Sequence, residues 1–227
     1  MILAVTGLER ERRMVAGPGV EAVAGGGDHV RLEATLDRLA EGVAGVISIG
    51  IAGGLAPSLQ PGHWIVADAV TDAGEAAPTD PDWTDWLVSR LPGSSRGLLL
   101  GTNSMVVTAE QKATLHRATG ADAVDMESHI AARIARRHRL PFVAARVISD
   151  AARRTLPPAA RVGMRSDGRM NLPAVLRSLL VEPWQLVALI RTGLEAERGF
   201  RALLRGRRRL GPRLGGPNVG ELPLDMV

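Results

Sequence analysis

Three carboxylates stand just past points where an apolar run gives way to a turn. Glu11 follows Ile2–Val5 and Thr6-Gly7, Glu127 follows Ala121–Val124, and Asp150 follows Phe142–Ile148. A fourth run, Val46–Ile51, leads into Gly50-Ile51-Ala52-Gly53-Gly54-Leu55. A single carboxylate in such a place is more often a helix cap or a solvated charge. Three of them beside glycine turns suit acid–base chemistry on a small polar ligand.

Other chemistries lack their residues. The chain has no cysteine, so disulfides, thiolate metal sites and cysteine nucleophiles are excluded. The five histidines (29, 63, 116, 129 and 138) show no metal-ligand spacing, and no metal site is expected. His129 and His138 read as helix-surface or core residues. The glycine clusters fit neither a dinucleotide fingerprint nor a P-loop, and no G-x-S-x-G elbow or H-E-x-x-H is present.

The elements that must position the carboxylates alternate between strand and helix. Strands are expected at Ile2–Val5, Val20–Ala24, Val46–Ile51, Trp64–Val70, Leu98–Leu100, Met105–Val107, Ala121–Val124 and Phe142–Ile148. Helices are expected over Leu8–Ala16, from the cap Asp28 through Val43, over Trp83–Leu91, from the cap Thr108 to Thr119, and over Glu127–Arg139. Two more should follow at about 172–181 and 183–206. The segment 72–82 reads as a mobile surface loop, and the Arg-, Gly- and Pro-rich tail from Gly206 as loosely ordered. This alternation predicts an α/β fold around a twisted, mostly parallel sheet, with the site beyond the carboxyl ends of its strands.

The 227-residue length suits one such domain, expected over 1–206 with a basic tail over 207–227. The pI near 10.9 overstates the basicity, because the net charge is only +4. There is one lysine, Lys112, and no tyrosine or cysteine, so almost nothing titrates between histidine and arginine. Residues 1–150 carry 14 Lys and Arg against 18 acids, whereas 151–227 carry 14 Arg against 6. That asymmetry fits either an anionic partner for the C-terminal third or a plain arginine bias. Two phenylalanines and no tyrosine leave few stacking platforms, so no nucleic-acid partner is expected. No run reaches membrane-spanning length, and the N-terminus reads as a strand rather than a leader; a cytoplasmic enzyme is the expectation.

Taken in order, Gly50-Ile51-Ala52-Gly53-Gly54-Leu55, Val124-Asp125-Met126-Glu127-Ser128 and Val147-Ile148-Ser149-Asp150 resemble the purine nucleoside phosphorylase and methylthioadenosine/adenosylhomocysteine nucleosidase superfamily. The resemblance spans about residues 1–180. Within it, Ala123–Arg133, Leu156-Pro157-Pro158-Ala159, Val162-Gly163-Met164-Arg165 and the basic tail around Leu203–Leu210 are similar to the hopanoid-associated phosphorylase branch. The resemblance implies a three-layer α/β fold with a mixed, mostly parallel sheet flanked by helices, and a homo-oligomer. It implies release of adenine from a 5′-substituted adenosine, with adenosylhopane as the branch's substrate; a soluble methylthioadenosine/adenosylhomocysteine nucleosidase is the alternative.

Carried over residue by residue, Asp150 is the acid that protonates N7 of the leaving base, oriented by Ser149. Glu127 binds the ribose hydroxyls with Met126 packed beneath the sugar. Met105 stands where the nucleosidases have a purine-stacking aromatic, and Val106 offers backbone groups to the adenine edge. Ala52 and Gly53 line the substrate site. Glu11 aligns with the carboxylate that activates water. No organic cofactor is implied, and the co-substrate is water or inorganic phosphate. For phosphate, Gly26 and Gly27 before a helix N-terminus are candidate donors, and Arg10, Arg12 and Arg13 lie close to Glu11 in the chain. The substrate of that branch lives in a membrane. The apolar residues Leu176, Leu179, Leu180, Val181, Trp184, Leu186, Val187, Leu189 and Ile190, followed by Arg191 to Arg213, suit docking at an anionic leaflet. Packing of these helices on the sheet is the simpler account.

Overall fold

The computed structural model describes residues 1–72, 74–161 and 171–217, without the side chains of Arg161 and Leu172. The expected family stretch Val162-Gly163-Met164-Arg165 and the tail beyond 217 lie outside the described residues.

The apolar runs form the sheet: β1 Ile2–Thr6, β2 Val20–Ala24, β3 Gly45–Gly54, β4 Trp64–Thr71, β5 Ala77–Pro78, β6 Ser95–Gly101, β7 Ala123–Asp125 and β8 Phe142–Asp150. Between and after them lie α1 Glu9–Val15, α2 His29–Leu39, α3 Pro81–Arg90, α4 Ala109–Thr119, α5 Ser128–Arg137, α6 Pro158–Arg161, α7 Leu172–Val181 and α8 Leu186–Leu210. Short 3-10 turns occupy Pro183–Gln185 and Pro212–Gly215. Strand order is β2-β1-β3-β7-β6-β4-β5, with β8 pairing both β3 and β4. Because β3 also meets β7 and β4 also meets β6, five strands (β3, β8, β4, β6, β7) close on themselves. The sheet is mixed and mostly parallel, and its curl gathers the ends of β3, β7 and β8 in one place.

Two apolar layers flank it. On one face Leu32, Leu36, Ile130 and Ile134 of α2 and α5 pack on Val46, Ile65 and Ala144. On the other, Val15, Trp83, Leu87, Leu203 and Leu210 of α1, α3 and α8 pack on Ile47, Val66 and Val147. Side-chain oxygens satisfy the helix starts: Asp28 accepts from the Arg31 N–H, Asp80 from Trp83, and Thr108 from Gln111.

Three expectations are corrected. Met105–Val107 is not a strand; the N–H groups of Val107 and Thr108 donate to the Gln111 side chain, which caps α4 instead of leaving them for a ladder. The stretch 72–82 is not all loop: β5 pairs with β4, Thr79 Oγ1 donates to the Ala67 carbonyl at 2.8 Å, and α3 begins at Pro81. Residues 207–217 are not loose, since α8 continues to Leu210 and both Leu210 and Leu214 are buried in the α3–α8 layer. The boundary expected after residue 206 falls inside that helix.

Most of the apolar residues described in α7 and the start of α8 stay in solvent, with Leu179 and Leu189 half-buried. Leu176, Leu180, Val181, Trp184, Leu186, Val187 and Ile190 are exposed, whereas the second half of α8 buries Phe200, Ala202 and Leu203. No single helix among the described residues is long and apolar enough to cross a membrane.

Candidate active site

Residues of β3, β7 and β8 and those just past β1 and β7 converge around one buried arginine. Arg146 lies inside the otherwise apolar β8, wholly removed from solvent. Its Nε stands 3.0 Å from Asp125 Oδ2 and its Nη2 3.6 Å from Glu127 Oε2, and the guanidinium also donates to Ser48 and Ser128. Burying that cation is tolerable only because the acids and hydroxyls surround it.

Glu11 enters the same cluster from α1. Its Oε2 accepts the Leu8 N–H and its Oε1 the Ile51 N–H, both at 2.6 Å. A Cβ on Gly50 would stand 2.7 Å from Glu11 Oε1 and 2.8 Å from Arg146 Nη1, so the pair closes over a residue that must lack a side chain. Gly7 plays the same part between Glu11 and Glu127, whose oxygens would lie 3.2–3.3 Å from a Cβ there. Asp125 has a different task. Its Oδ1 accepts the N–H groups of Glu127 and Ser128 at 2.8 and 2.7 Å, capping α5 and aiming Glu127 back at Gly7 and Gly25.

Three acids thus share one guanidinium, and the electrostatics follow. Burial raises the Glu11 carboxyl above its ordinary range against the opposing pull of Arg146 and backbone N–H groups. Burial, with Asp125 and Glu11 nearby, lifts Glu127 to about 8. Such a group holds its extra proton in the folded state. Its contribution to stability is complete below the unfolded value near 4.5 and is lost as pH rises through about 8. Glu127→Gln, which mimics the protonated form, is therefore expected to melt with the parent near pH 4.5. At pH 9 it should be more stable by on the order of 5 kcal/mol, or about 10–20 °C at this length. Thermal melts across that range check the prediction.

Asp150 sits three residues further along β3, beside Gly53. The β3–β8 register slips there: Ala52 faces Ile148 but Gly53 faces Asp150, leaving Ser149 as an extra residue. The bulge places Ser149 Oγ 3.1 Å from the Ala52 carbonyl and 2.6 Å from Asp150 Oδ1. The opposite carboxyl oxygen, Oδ2, is bound by the ammonium of Lys112. Arg154, just past β8, donates to Glu195 at 3.1 Å and so pins α8 to this end of the strand.

Among the other expected residues, Met126 follows Asp125 at the same turn and is half-buried, as are Met105 and Val106; Val106 packs beside Leu55, Leu100 and Val124. The phosphate expectation for Gly26 is corrected. Its N–H is spent on the Gly7 carbonyl at 2.9 Å, tying the glycine turn to β1, while Gly27 takes a left-handed φ of 83° in the same turn. The carboxyl-bearing arm of Glu127 also leans on Gly25 at the start of that turn. Arg12 and Arg13 pair with Glu9, and Arg10 with Glu197.

Sequence reasoning gave no role to Arg146, Asp125 or Lys112. Each left a signal: an arginine inside an apolar strand, a second acid two residues before Glu127, and the sole lysine of an arginine-rich chain. Among the described residues no group of His, Cys, Asp and Glu is arranged to hold a metal ion.

Known proteins share this architecture. A 5′-methylthioadenosine/S-adenosylhomocysteine nucleosidase from Helicobacter pylori is 16% identical, covering 92% of this chain and 95% of its own, with a TM-score of 0.64. The corresponding S. pneumoniae enzyme, solved with a transition-state inhibitor, is 15% identical over 92% and 99%, with a TM-score of 0.63. Futalosine hydrolase of Helicobacter pylori is 15% identical over 90% and 97%, with a TM-score of 0.59. A comparison with curated proteins finds no match. The family model of the phosphorylase superfamily matches residues 9–180, well over half of the sequence, and the chain belongs to that superfamily.

Proposed function

We propose that the protein hydrolyses the N-glycosidic bond of a 5′-substituted adenosine and releases adenine. One observation carries this reading. Glu11 and Glu127 meet at Gly7, Glu11 also closes over Gly50, and Asp150 stands at Gly53, roughly 10 Å further along β3 at the usual rise per residue. That is the scale of a nucleoside laid along the strand, sugar at one end and base at the other.

The N-glycosidic bond breaks through a sugar cation, as in glycoside hydrolysis, and the departing base gathers the bond electrons. Asp150 protonates N7 of that base. Ser149 suits either protonation state of this acid: its one hydrogen goes to Asp150 when the carboxylate is charged, or to the Ala52 carbonyl while its oxygen accepts from the neutral acid. Met105 packs on the purine face as a soft, polarisable surface, and the Val106 backbone meets the adenine edge. At the other end Glu127 accepts from the ribose hydroxyls, with Met126 beneath the sugar. Those bonds and the growing positive charge both favour its ionised form, so its stabilising effect is greatest in the transition state. Glu11, its carboxyl raised by burial, takes the proton of the attacking water.

Water is favoured over phosphate because most of the candidate anion donors are occupied. The Gly26 N–H is bonded to Gly7, and Arg10, Arg12 and Arg13 are each paired with glutamate. Incubation with 5′-methylthioadenosine, with and without phosphate, tests the chemistry. The expected products are adenine and free methylthiopentose at a rate indifferent to phosphate; a sugar phosphate would overturn hydrolysis, and no adenine release from this nucleoside or from adenosylhopane would overturn the reaction class.

The substrate we propose is a lipid-bearing nucleoside of the adenosylhopane type. The exposed apolar row from Leu176 to Ile190, on helices tied to the Asp150 end through Arg154 and Glu195 and followed by arginines, supports contact with an anionic bilayer that holds such a lipid. The architecture shared with methylthioadenosine nucleosidases supports the alternative of a small soluble substrate. Flotation with phosphatidylglycerol vesicles, paired with kcat/KM on adenosylhopane and on 5′-methylthioadenosine, separates them. Flotation and preference for the lipid are expected, and Trp184→Glu should weaken flotation; a protein that stays in the pellet and prefers the small nucleoside contradicts the lipid reading.

A further inference from the structure

Lys112 is wholly buried, and the ammonium uses its donors on the Asp150 carboxylate, the Ala151 carbonyl at 3.1 Å and the Arg154 carbonyl at 3.2 Å. Of the 28 lysines and arginines in the chain, it alone is lysine. Arginine is always protonated; lysine is the basic residue able to give up its proton inside a protein. A chain so biased to arginine has lysine at the one place where a cation touches the acid Asp150.

We propose that Lys112 is a positioning residue that supplies, through Asp150, the proton delivered to the leaving base. The inference rests on the acid role given to Asp150 above. First, a Lys112 N–H proton moves to Asp150 Oδ2, turning the ion pair into a neutral amine and carboxylic acid. The transfer needs no movement of either group, because the ammonium already donates to that carboxyl oxygen. Next, the electron pair of the C1′–N9 bond passes to the adenine, N7 takes the proton of Asp150, and the carboxylate is restored. Water then adds to C1′ and sheds one proton through Glu11. An equivalent proton recharges Lys112, so nucleoside and water give adenine and pentose with no net change in protons. The charged groups facing Asp150 among the described residues are Lys112 from α4 and Arg154 from the turn after β8, and Glu195 of α8 neutralises the latter.

Lys112→Arg keeps the charge and cannot release the proton; Lys112→Met removes both. With 5′-methylthioadenosine, both variants are expected to lose about 100-fold or more in kcat while KM changes little. Thermal melts identify the variants that are folded. Two results would overturn the relay: a Lys112→Arg variant within about threefold of the parent, or a Lys112→Met variant that stays active, with the alkaline fall of its pH–rate profile moved to higher pH. If Asp150→Asn turns over like the parent, the acid assignment itself fails and the relay with it. If that variant is dead while Lys112→Arg is active, only the relay fails.

Discussion

Asp150→Asn is expected to release adenine from 5′-methylthioadenosine about 10²–10⁴-fold more slowly than the parent, with KM within a few-fold. The amide keeps the shape of the carboxyl and its place beside Ser149 and Gly53, and has no proton to give N7. The deficit should depend on the leaving group. A riboside of nitrophenol leaves without protonation, so the variant should approach the parent on it. An equal loss on both substrates would mean that Asp150 holds the site together rather than acting as the acid. The change also leaves the buried ammonium of Lys112 without its counter-charge, at a stability cost of about 3–5 kcal/mol. Assays therefore belong well below the variant's melting temperature.

The second large effect is expected at Arg146. Arg146→Met removes the one cation that Asp125, Glu127 and Glu11 share. Breaking a buried pair from one side costs about 3–5 kcal/mol, or roughly 6–20 °C in Tm at this length. The sign with pH is set by the carboxyls. Without the guanidinium Glu11 and Glu127 hold their protons more firmly in the folded state, and stability is lost as pH rises. The Arg146→Met deficit should thus be largest above pH 8 and shrink towards pH 5. A deficit that is flat with pH would point to lost packing alone. Turnover should fall as well, because Glu127 loses the charge that helps it ionise against the ribose.

The carboxylates at 11, 127 and 150 were legible in the sequence because each follows an apolar run, and an apolar run read as a strand puts its next residues at a sheet edge. Ser149 and Gly53 were legible for the same reason. Met105 and Val106 were placed at the site but assigned to a strand, since a Met-Val-Val triplet looks extended whether or not it has a partner. What deprived it of one was Gln111, whose side chain takes the free N–H groups. The extension of α8 beyond Gly206 was hidden in a similar way. Arginines and glycine look like a tail until Leu210 and Leu214 find Trp83 and Leu87. The phosphate reading of Gly26 failed because glycines advertise a bare backbone without revealing whether a carbonyl has already claimed it.

The α/β class, most of the strands and helices and the three acids beyond strands are readable from the residues alone. These follow from periodicity and turn residues within about ten positions of each other. Which charges meet depends on the folded chain. Arg146 with Asp125, Lys112 with Asp150, and Glu11 with the Ile51 N–H join residues 21, 38 and 40 positions apart. Those pairings depend on the closure of β3, β8, β4, β6 and β7 and on the one-residue bulge at Ser149, where a slip of one position turns a side chain from one face of the sheet to the other.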